Sequence, residues 1–189
     1  MTMHDTFVAT LAEIEPVLRA HVDDDWSVPA RDLDMSCHKT GVHLADTYLA
    51  EAAQITGTPD DDWVPIELIA PDNLAPARLV DAIMVMARIY AATANATDPS
   101  ARAYHPWGNS DVEGYLAMGV VESLVHTFDI VAALGDDWRP PNALAAPALR
   151  RIFPAVGPDD ERAGDLLLWA TGRIGLPDRE RLTSWRWHG

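Results

Sequence analysis

The sequence contains only one cysteine, Cys37, in 189 residues. A single cysteine excludes an internal disulfide and is typical of proteins that are kept in a reducing cytoplasm. The N-terminal stretch MTMHDTFVATLAEIEP also lacks the basic and apolar segments of a secretory signal peptide. We therefore expect a cytoplasmic protein without a signal peptide.

Basic side chains are scarce, with 14 Lys and Arg against 29 Asp and Glu and a formal net charge of −15. Nucleic acids and anionic membranes attract cationic surfaces, so this charge argues against both as partners. The sequence also lacks the uninterrupted apolar runs of about 18 residues that predict a transmembrane helix. Hydrophobic residues nevertheless make up 48% of the chain, which argues against a disordered protein.

The apolar residues recur with the period of an α-helix, as Phe7, Leu11 and Ile14 do at steps of four and three. Helices are expected at about residues 5–22, 34–55, 75–94 and 111–134, with shorter ones at about 142–152 and 159–172. The sequence shows no strand-rich or βαβ pattern. We predict an all-α protein with one domain over residues 1–189. A four-helix bundle of about 5–135 is followed by a helical extension and tail of about 139–189, whose tryptophans are buried.

The fourth predicted helix has the clearest ends. Ser110 and Glu113 have the spacing of a capping box, in which the serine oxygen and the glutamate each accept a backbone N–H. Gly135 is expected to end the helix in the left-handed conformation. Apolar residues cover almost the whole circumference between these ends, which predicts a helix buried in the core.

Three ionisable residues interrupt this helix, Glu122, His126 and Asp129, at spacings that place them on one face. A buried carboxylate is costly unless it has a partner. One such partner is a divalent metal, and glutamate and histidine ligands suit zinc, nickel or iron. Asp129 is then placed to orient a ligand by hydrogen bonding. The alternative is a structural Glu–His hydrogen bond, or a bridge to an arginine such as Arg88.

A metal site needs at least one further ligand from elsewhere in the chain. The candidates are His21, His38, His43 and His105. Helical periodicity in the second helix places His38 at the edge of the apolar stripe and His43 nearly opposite it, so periodicity alone favours His38.

Two segments, VPARDLDMSCHKTGVHLADTYLAEA and MGVVESLVHTFDIVAALG, resemble the DinB-like superfamily, and within it the N-terminal domain family of mycothiol-dependent maleylpyruvate isomerases. The shared pattern is Trp26, then His43 before an aliphatic residue, then the late helix with Glu122, His126 and Asp129. The resemblance implies a four-helix bundle with one divalent metal held by His43, Glu122 and His126.

The resemblance also implies a function. The expected protein is a mycothiol-dependent S-transferase or isomerase that acts on a small electrophile, with zinc as the expected metal. A metal-dependent hydrolase and a non-catalytic metal-binding or stress protein remain open as alternatives. We expect Cys37 to fill the core rather than act as the nucleophile. The oligomeric state is left open, with a homodimer as one alternative.

Two long connections, residues 57–74 and 96–109, are of a length that often carries function. In the second, His105 and Trp107 are candidates to contact the substrate or to close over the site. In the first, Trp63 is a weaker candidate for a lid. The alternative is that these aromatic side chains only pack on the bundle.

Overall fold

The computed structural model describes residues 1–157 and 159–188, and these residues are mostly helical. The helices are α1 (Met3–Arg19), α2 (Cys37–Gly57), α3 (Pro76–Ala96), α4 (Val112–Ala133), α5 (Asn142–Ile152) and α6 (Ala163–Ala170). A single turn of 3-10 helix covers Pro154–Val156. The strands β1 (Arg102–Ala103) and β2 (Ser110–Asp111) pair antiparallel in the connection before α4. The predicted all-α class is confirmed, with this small ribbon as an addition.

The first four helices form a closed ring. Helix α1 packs against α3 and α4, and α2 packs against the same two helices. Helix α5 lies on α4 and α1, and α6 lies on α5 and α4. The predicted four-helix bundle with a helical extension is therefore present, and the extension covers α4. Pro158 and Gly189, which belong to the predicted extension and tail, lie outside the described residues.

Helix α4 is the central helix of the fold. By length and composition alone, α3 and α4 are both apolar enough to cross a membrane. In α4, however, 83% of the most apolar window is buried inside the fold, against 44% in α3. The apolar circumference of α4 is thus used to contact the rest of the chain, as expected for a core helix.

The sequence predicted the C-terminal end of α4 correctly and its N-terminal cap incorrectly. The N-cap is Asp111, whose Oδ1 accepts the N–H of Gly114 at 2.8 Å. The predicted capping box is therefore wrong, because Ser110 is paired with Ala103 in the ribbon and the helix begins one residue later. Gly135 is confirmed as the left-handed residue, with φ +94°. The amide of Asp136 donates to the carbonyl of Val131 at 3.0 Å, which satisfies the last turn.

The other boundaries differ from the prediction by a few residues. Helix α2 begins at Cys37 because the Ser36 hydroxyl caps it by accepting the N–H of Lys39. Helix α6 is shorter than predicted, and α5 has the predicted bounds. In the tail, Trp187 is buried as expected, whereas Trp185 is only partly buried.

Gly119 allows α4 to approach the aromatic core of the bundle. The ring of Phe7 packs edge-on against Tyr90, with 5.1 Å between the ring centroids. A Cβ at position 119 would lie 2.9 Å from Tyr90 Cε1 and 3.1 Å from Phe7 Cε2. The space beside Gly119 is therefore filled by these rings.

Replacing Gly119 with alanine should destabilise the fold. The overpacking penalty of about 1–3 kcal/mol exceeds the gain of about 0.5–1 kcal/mol that alanine normally gives inside a helix. The measurement is the free energy of unfolding in urea. Ala92→Gly at an exposed site in α3 is the control, which reports helix propensity alone. A Gly119→Ala variant more stable than the parent would show that the helices separate without cost.

Candidate metal centre

Helices α2 and α4 bring His43, Glu122 and His126 together. One ligand atom from each side chain lies within 4.8 Å of the other two. Glu122 Oε2 is 2.9 Å from His126 Nε2 and 3.5 Å from His43 Nε2. The two imidazole rings stand almost perpendicular, with centroids 5.0 Å apart. The His–Glu–His group implied by the resemblance is thus assembled and can hold a metal ion.

The geometry fits a shared ion better than a hydrogen-bonded pair. Glu122 Oε2 is buried, yet among the described residues it has no partner with hydrogen-bond geometry. Two imidazole nitrogens and one carboxylate oxygen converge instead on a common point, and this donor set suits a divalent metal. The side chain of His43 is 43% exposed, while those of Glu122 and His126 are 14% and 8% exposed. One side of the group therefore faces solvent and the other faces the core.

Asp129 connects His126 to the C-terminal extension. Its Oδ2 lies 3.2 Å from Nδ1 of His126, the ring nitrogen that faces away from Glu122. Arg173, which follows α6, donates to the same oxygen from Nη2 at 3.0 Å and from Nε at 3.2 Å. Arg173 also donates to the carbonyl of Thr171 at 2.9 Å. The side chain that can orient His126 is therefore itself held by a partly buried arginine.

The pKa values of the metal-free site are strongly shifted. Burial alone would raise the pKa of Glu122, but the adjacent charges of His126 and His43 outweigh it and lower this pKa well below its usual range. Burial would lower the pKa of His126, but the adjacent negative charges of Glu122 and Asp129 outweigh it and raise this pKa to about 9. At neutral pH the metal-free site thus holds a carboxylate and an imidazolium. Protonation of His126 stabilises the metal-free fold fully below pH 6.5, and this contribution is lost as pH rises through about 9.

The two histidines of α2 lie in different surroundings. His43 joins the group, whereas His38 lines a different cavity, next to Trp26. The periodicity that favoured His38 was misleading, because His43 lies on a face of α2 that borders a cavity and that face need not be apolar.

His21, a candidate third ligand, and Arg88, a candidate partner of Glu122, both lie away from the site. His21 lies between Asp24 and Asp136, at 2.7 and 3.0 Å. Arg88 pairs with Glu15 at 3.3 Å on the surface. The alternative of a bridge from Arg88 to the ionisable residues of α4 is therefore wrong. Within the part of the chain that the structure describes, these residues are not among the potential ligands.

The site borders a cavity of about 380 Å³. Both of the long connections and the tail contribute to its walls. The wall residues include His43, Thr47, Ala50, Trp63, His105 and Trp187. His105, a candidate for substrate contact, and Trp63, a candidate for a lid, both line the cavity. Trp107, the other candidate for substrate contact, is not among the described lining residues and packs on His105, with 5.7 Å between the ring centroids. Burial lowers the pKa of His105, so its imidazole is neutral at pH 7.

Glu51 is a residue of the site that sequence analysis missed. It lies two turns after His43 on α2, lines the same cavity, and is only 4% exposed. Burial and the negative charge of Glu122 raise the pKa of Glu51 well above its usual value, so its surroundings favour the protonated carboxyl group. The spacing of four residues from His43 to Thr47 and from Thr47 to Glu51 could have predicted that these side chains share one face of α2. Apolar periodicity does not reveal that face, because two of the three residues are ionisable.

Cys37 is fully buried in the core. Burial raises the pKa of its thiol to about 11, and Sγ lies 3.7 Å from the carbonyl oxygen of Ile130. The thiol is therefore protonated at neutral pH, and its position agrees with the prediction that Cys37 fills the core.

Comparisons with protein-family models, curated proteins and solved structures give no match for this chain. The resemblance to the DinB-like superfamily therefore stays a prediction. The helical bundle and the His–Glu–His group are observed in the chain itself.

The two histidines of α2 provide a matched test of the site. His43→Ala removes one of the three converging ligands and should abolish metal binding, whereas His38→Ala should keep it. The measurement is metal content per chain by atomic emission, after loading with zinc and removal of any affinity tag. Equal metal content in the two variants would show that His43 is not a ligand.

Metal binding should release protons because His126 must lose its proton to become a ligand. At pH 7.5 we expect about one proton per metal ion. Calorimetric titrations with zinc in buffers of different ionisation enthalpy measure this number. The Asp129→Asn variant removes a group that raises the pKa of His126, so it should release fewer protons. A binding heat independent of the buffer would contradict a protonated His126.

Proposed function

We propose that this chain is a divalent-metal-dependent S-transferase of the DinB-like superfamily. It would join a low-molecular-weight thiol such as mycothiol to a small electrophile, with zinc held by His43, Glu122 and His126. An isomerase that works through a thiol adduct would share the same first step. The proposal includes a cytoplasmic location, where thiols are kept reduced, and a small-molecule substrate rather than a nucleic acid or a membrane.

The observation that supports this proposal most directly is the position of the ligand group at the wall of a cavity. His43 and Glu122 both line the cavity, while His126 lies behind them and is buried. A structural metal site is usually closed by four protein ligands, and a catalytic one keeps a position for substrate. Three converging ligands beside a cavity favour the second kind.

The nucleophile would come from outside the chain. Cys37 is buried and protonated, and it does not line the cavity among the described residues. A divalent ion at the site would lower the pKa of a thiol that reaches it, so that thiolate is available at neutral pH. The sulfur then attacks the electrophilic carbon, a C–S bond forms, the leaving group departs with its electron pair, and the thiol proton passes to solvent.

The residues around the ligands have separate tasks. Asp129 fixes the ring orientation of His126, and Arg173 fixes Asp129. Trp63, His105 and Trp187 would exclude water from the reacting sulfur on the cavity side. The buried carboxyl group of Glu51 offers a hydrogen bond at the wall of the cavity.

With mycothiol and 1-chloro-2,4-dinitrobenzene, the zinc-loaded protein should accelerate conjugation above the uncatalysed rate. Chelation and Glu122→Gln should each abolish the acceleration, because the ion is no longer held. Asp129→Asn should keep some metal and react more slowly, because His126 is no longer fixed. The measurement is the initial rate divided by metal content.

Cys37→Ala is the control and should retain the rate, since the protein's own thiol takes no part. Equal substrate consumption with and without mycothiol would indicate hydrolysis instead. Full metal content without any thiol-dependent rate, over a panel of electrophiles, would favour a structural metal.

A further inference from the structure

The imidazole of His105 is held by a tight turn of the chain. In residues 105–108 the N–H of Gly108 donates to the carbonyl of His105 at 2.9 Å. Pro106 suits the second position of such a turn because its ring fixes φ, and it has no N–H of its own. The first N–H that follows His105 is therefore that of Trp107. It donates to Nδ1 of the His105 ring at 3.4 Å.

This contact determines which ring nitrogen of His105 carries the proton. A backbone N–H can only donate, so the Nδ1 atom that accepts it has no proton. Burial lowers the pKa of His105 and outweighs the negative charge of Glu122, so the ring is neutral at pH 7. A neutral imidazole has one N–H group, which must then lie at Nε2.

Four aromatic rings surround the imidazole of His105. Trp187 stacks on it, with 5.8 Å between the centroids and an interplanar angle of 9°. The rings of Trp63, Trp107 and Tyr115 meet it at steep angles, with 5.8, 5.7 and 6.4 Å between the centroids. Only 9% of His105 is exposed. The imidazole therefore has little freedom to turn away from the position that the backbone gives it.

The Nε2 atom of His105 opens onto the cavity of the ligand group. Among the described residues this atom has no hydrogen-bond partner, yet it is not one of the unpaired side-chain atoms that the protein encloses completely. His105 lines the cavity of about 380 Å³ together with His43 and Glu122. The Nε2–H group is thus a fixed donor that a ligand beside the metal site can reach.

We infer that His105 is a catalytic residue of the proposed reaction, and that it donates a hydrogen bond from Nε2 to the atom of the electrophile that gains negative charge. The catalytic role depends on the proposed function, whereas the tautomer and the placement of the ring depend on the structure alone. The accepted electrophile then carries a hydrogen-bond acceptor that is conjugated with the carbon attacked by the thiolate.

The nitro group of 1-chloro-2,4-dinitrobenzene is such an acceptor. The sulfur forms the C–S bond with its electron pair, and electrons of the ring move onto a nitro oxygen. They return when the C–Cl bond breaks and chloride departs with its electron pair. His105 stabilises the charged oxygen by its Nε2–H donor and keeps its own proton throughout. A general base would instead need an unprotonated Nε2, which is the tautomer that the contact with Trp107 disfavours.

Nitrogen-15 NMR of the zinc-loaded protein tests this assignment without turnover. At pH 7 the signals of His105, identified by their loss in His105→Gln, should show a protonated Nε2 and an unprotonated Nδ1. Addition of 1-chloro-2,4-dinitrobenzene without thiol should shift the Nε2 signal more than addition of chlorobenzene, which lacks the nitro acceptors. A proton on Nδ1 would overturn the inference, and so would equal shifts with the two compounds.

Two variants separate the hydrogen bond from the volume of the ring. His105→Gln keeps an N–H donor near the position of Nε2, and His105→Leu removes the donor at similar size. At equal zinc content, His105→Leu should lower kcat for conjugation with mycothiol by about tenfold or more, with a smaller change in KM, because a donor to the charged oxygen acts in the transition state. His105→Gln should keep most of the rate.

His38→Leu is the matched control, since it makes the same change at a histidine that lines another cavity. It should keep the parent rate. His105→Met replaces His105→Leu if circular dichroism shows that the latter is unfolded. Equal values of kcat in the glutamine and leucine variants, whether high or low, would overturn the inference.

The two measurements distinguish failure of this inference from failure of the proposed function. A thiol-dependent rate in the parent that His105→Leu retains would reject the role of His105 and keep the transferase. Absence of conjugation in the parent would reject the transferase and the catalytic role together. The shift of Nε2 with the nitro compound would then still support His105 as the residue that donates to a ligand in the cavity.

Discussion

The structure depends on one costly feature, the largely buried carboxylate of Glu122 where the apolar helix α4 meets the cavity. Its Oε2 atom is removed from solvent, so the charge needs partners from the protein or from a bound ion. Two imidazoles lie beside it, one on the same helix and one on α2. The packing of α2 on α4 must therefore place His43 next to Glu122, and the same three side chains form the candidate ligand set.

Short-range sequence patterns predicted the parts of the structure that depend on residues close together in the sequence. The helices follow from apolar spacing, and Glu122 with His126 follows from a four-residue step on one helix. His43 was found only through the resemblance, because periodicity identifies faces that meet the core and not faces that border a cavity. Ser110 was misassigned as a cap because it pairs with the strand β1 in a short ribbon that the helical pattern does not reveal. Arg173 lies 44 residues from Asp129, and a contact of that separation leaves no local signal.

The two sides of the ligand group have opposite characters. On the core side, Asp129 and Arg173 form an ion pair in which the Asp129 side chain is 2% exposed and that of Arg173 is 13% exposed. On the cavity side, Trp63 is more than one-third exposed and belongs to a connection without regular secondary structure. The ion pair of Asp129 and Arg173 can thus hold the His126 ring in one orientation. The irregular connection that carries Trp63 forms the side of the site through which a ligand can enter.

The contact between Arg173 and Asp129 has a consequence for the order in which the site can form. Arg173 follows α6, so its contact with Asp129 requires α5 and α6 to pack on α4. A partly folded chain with only the four-helix bundle in place would already bring His43, Glu122 and His126 together, but Asp129 would lack its arginine and the cavity would lack the wall formed by Trp187. The ligand group is thus a property of the bundle, whereas the support of His126 and the enclosure of the cavity are contributed by the segments that pack on it.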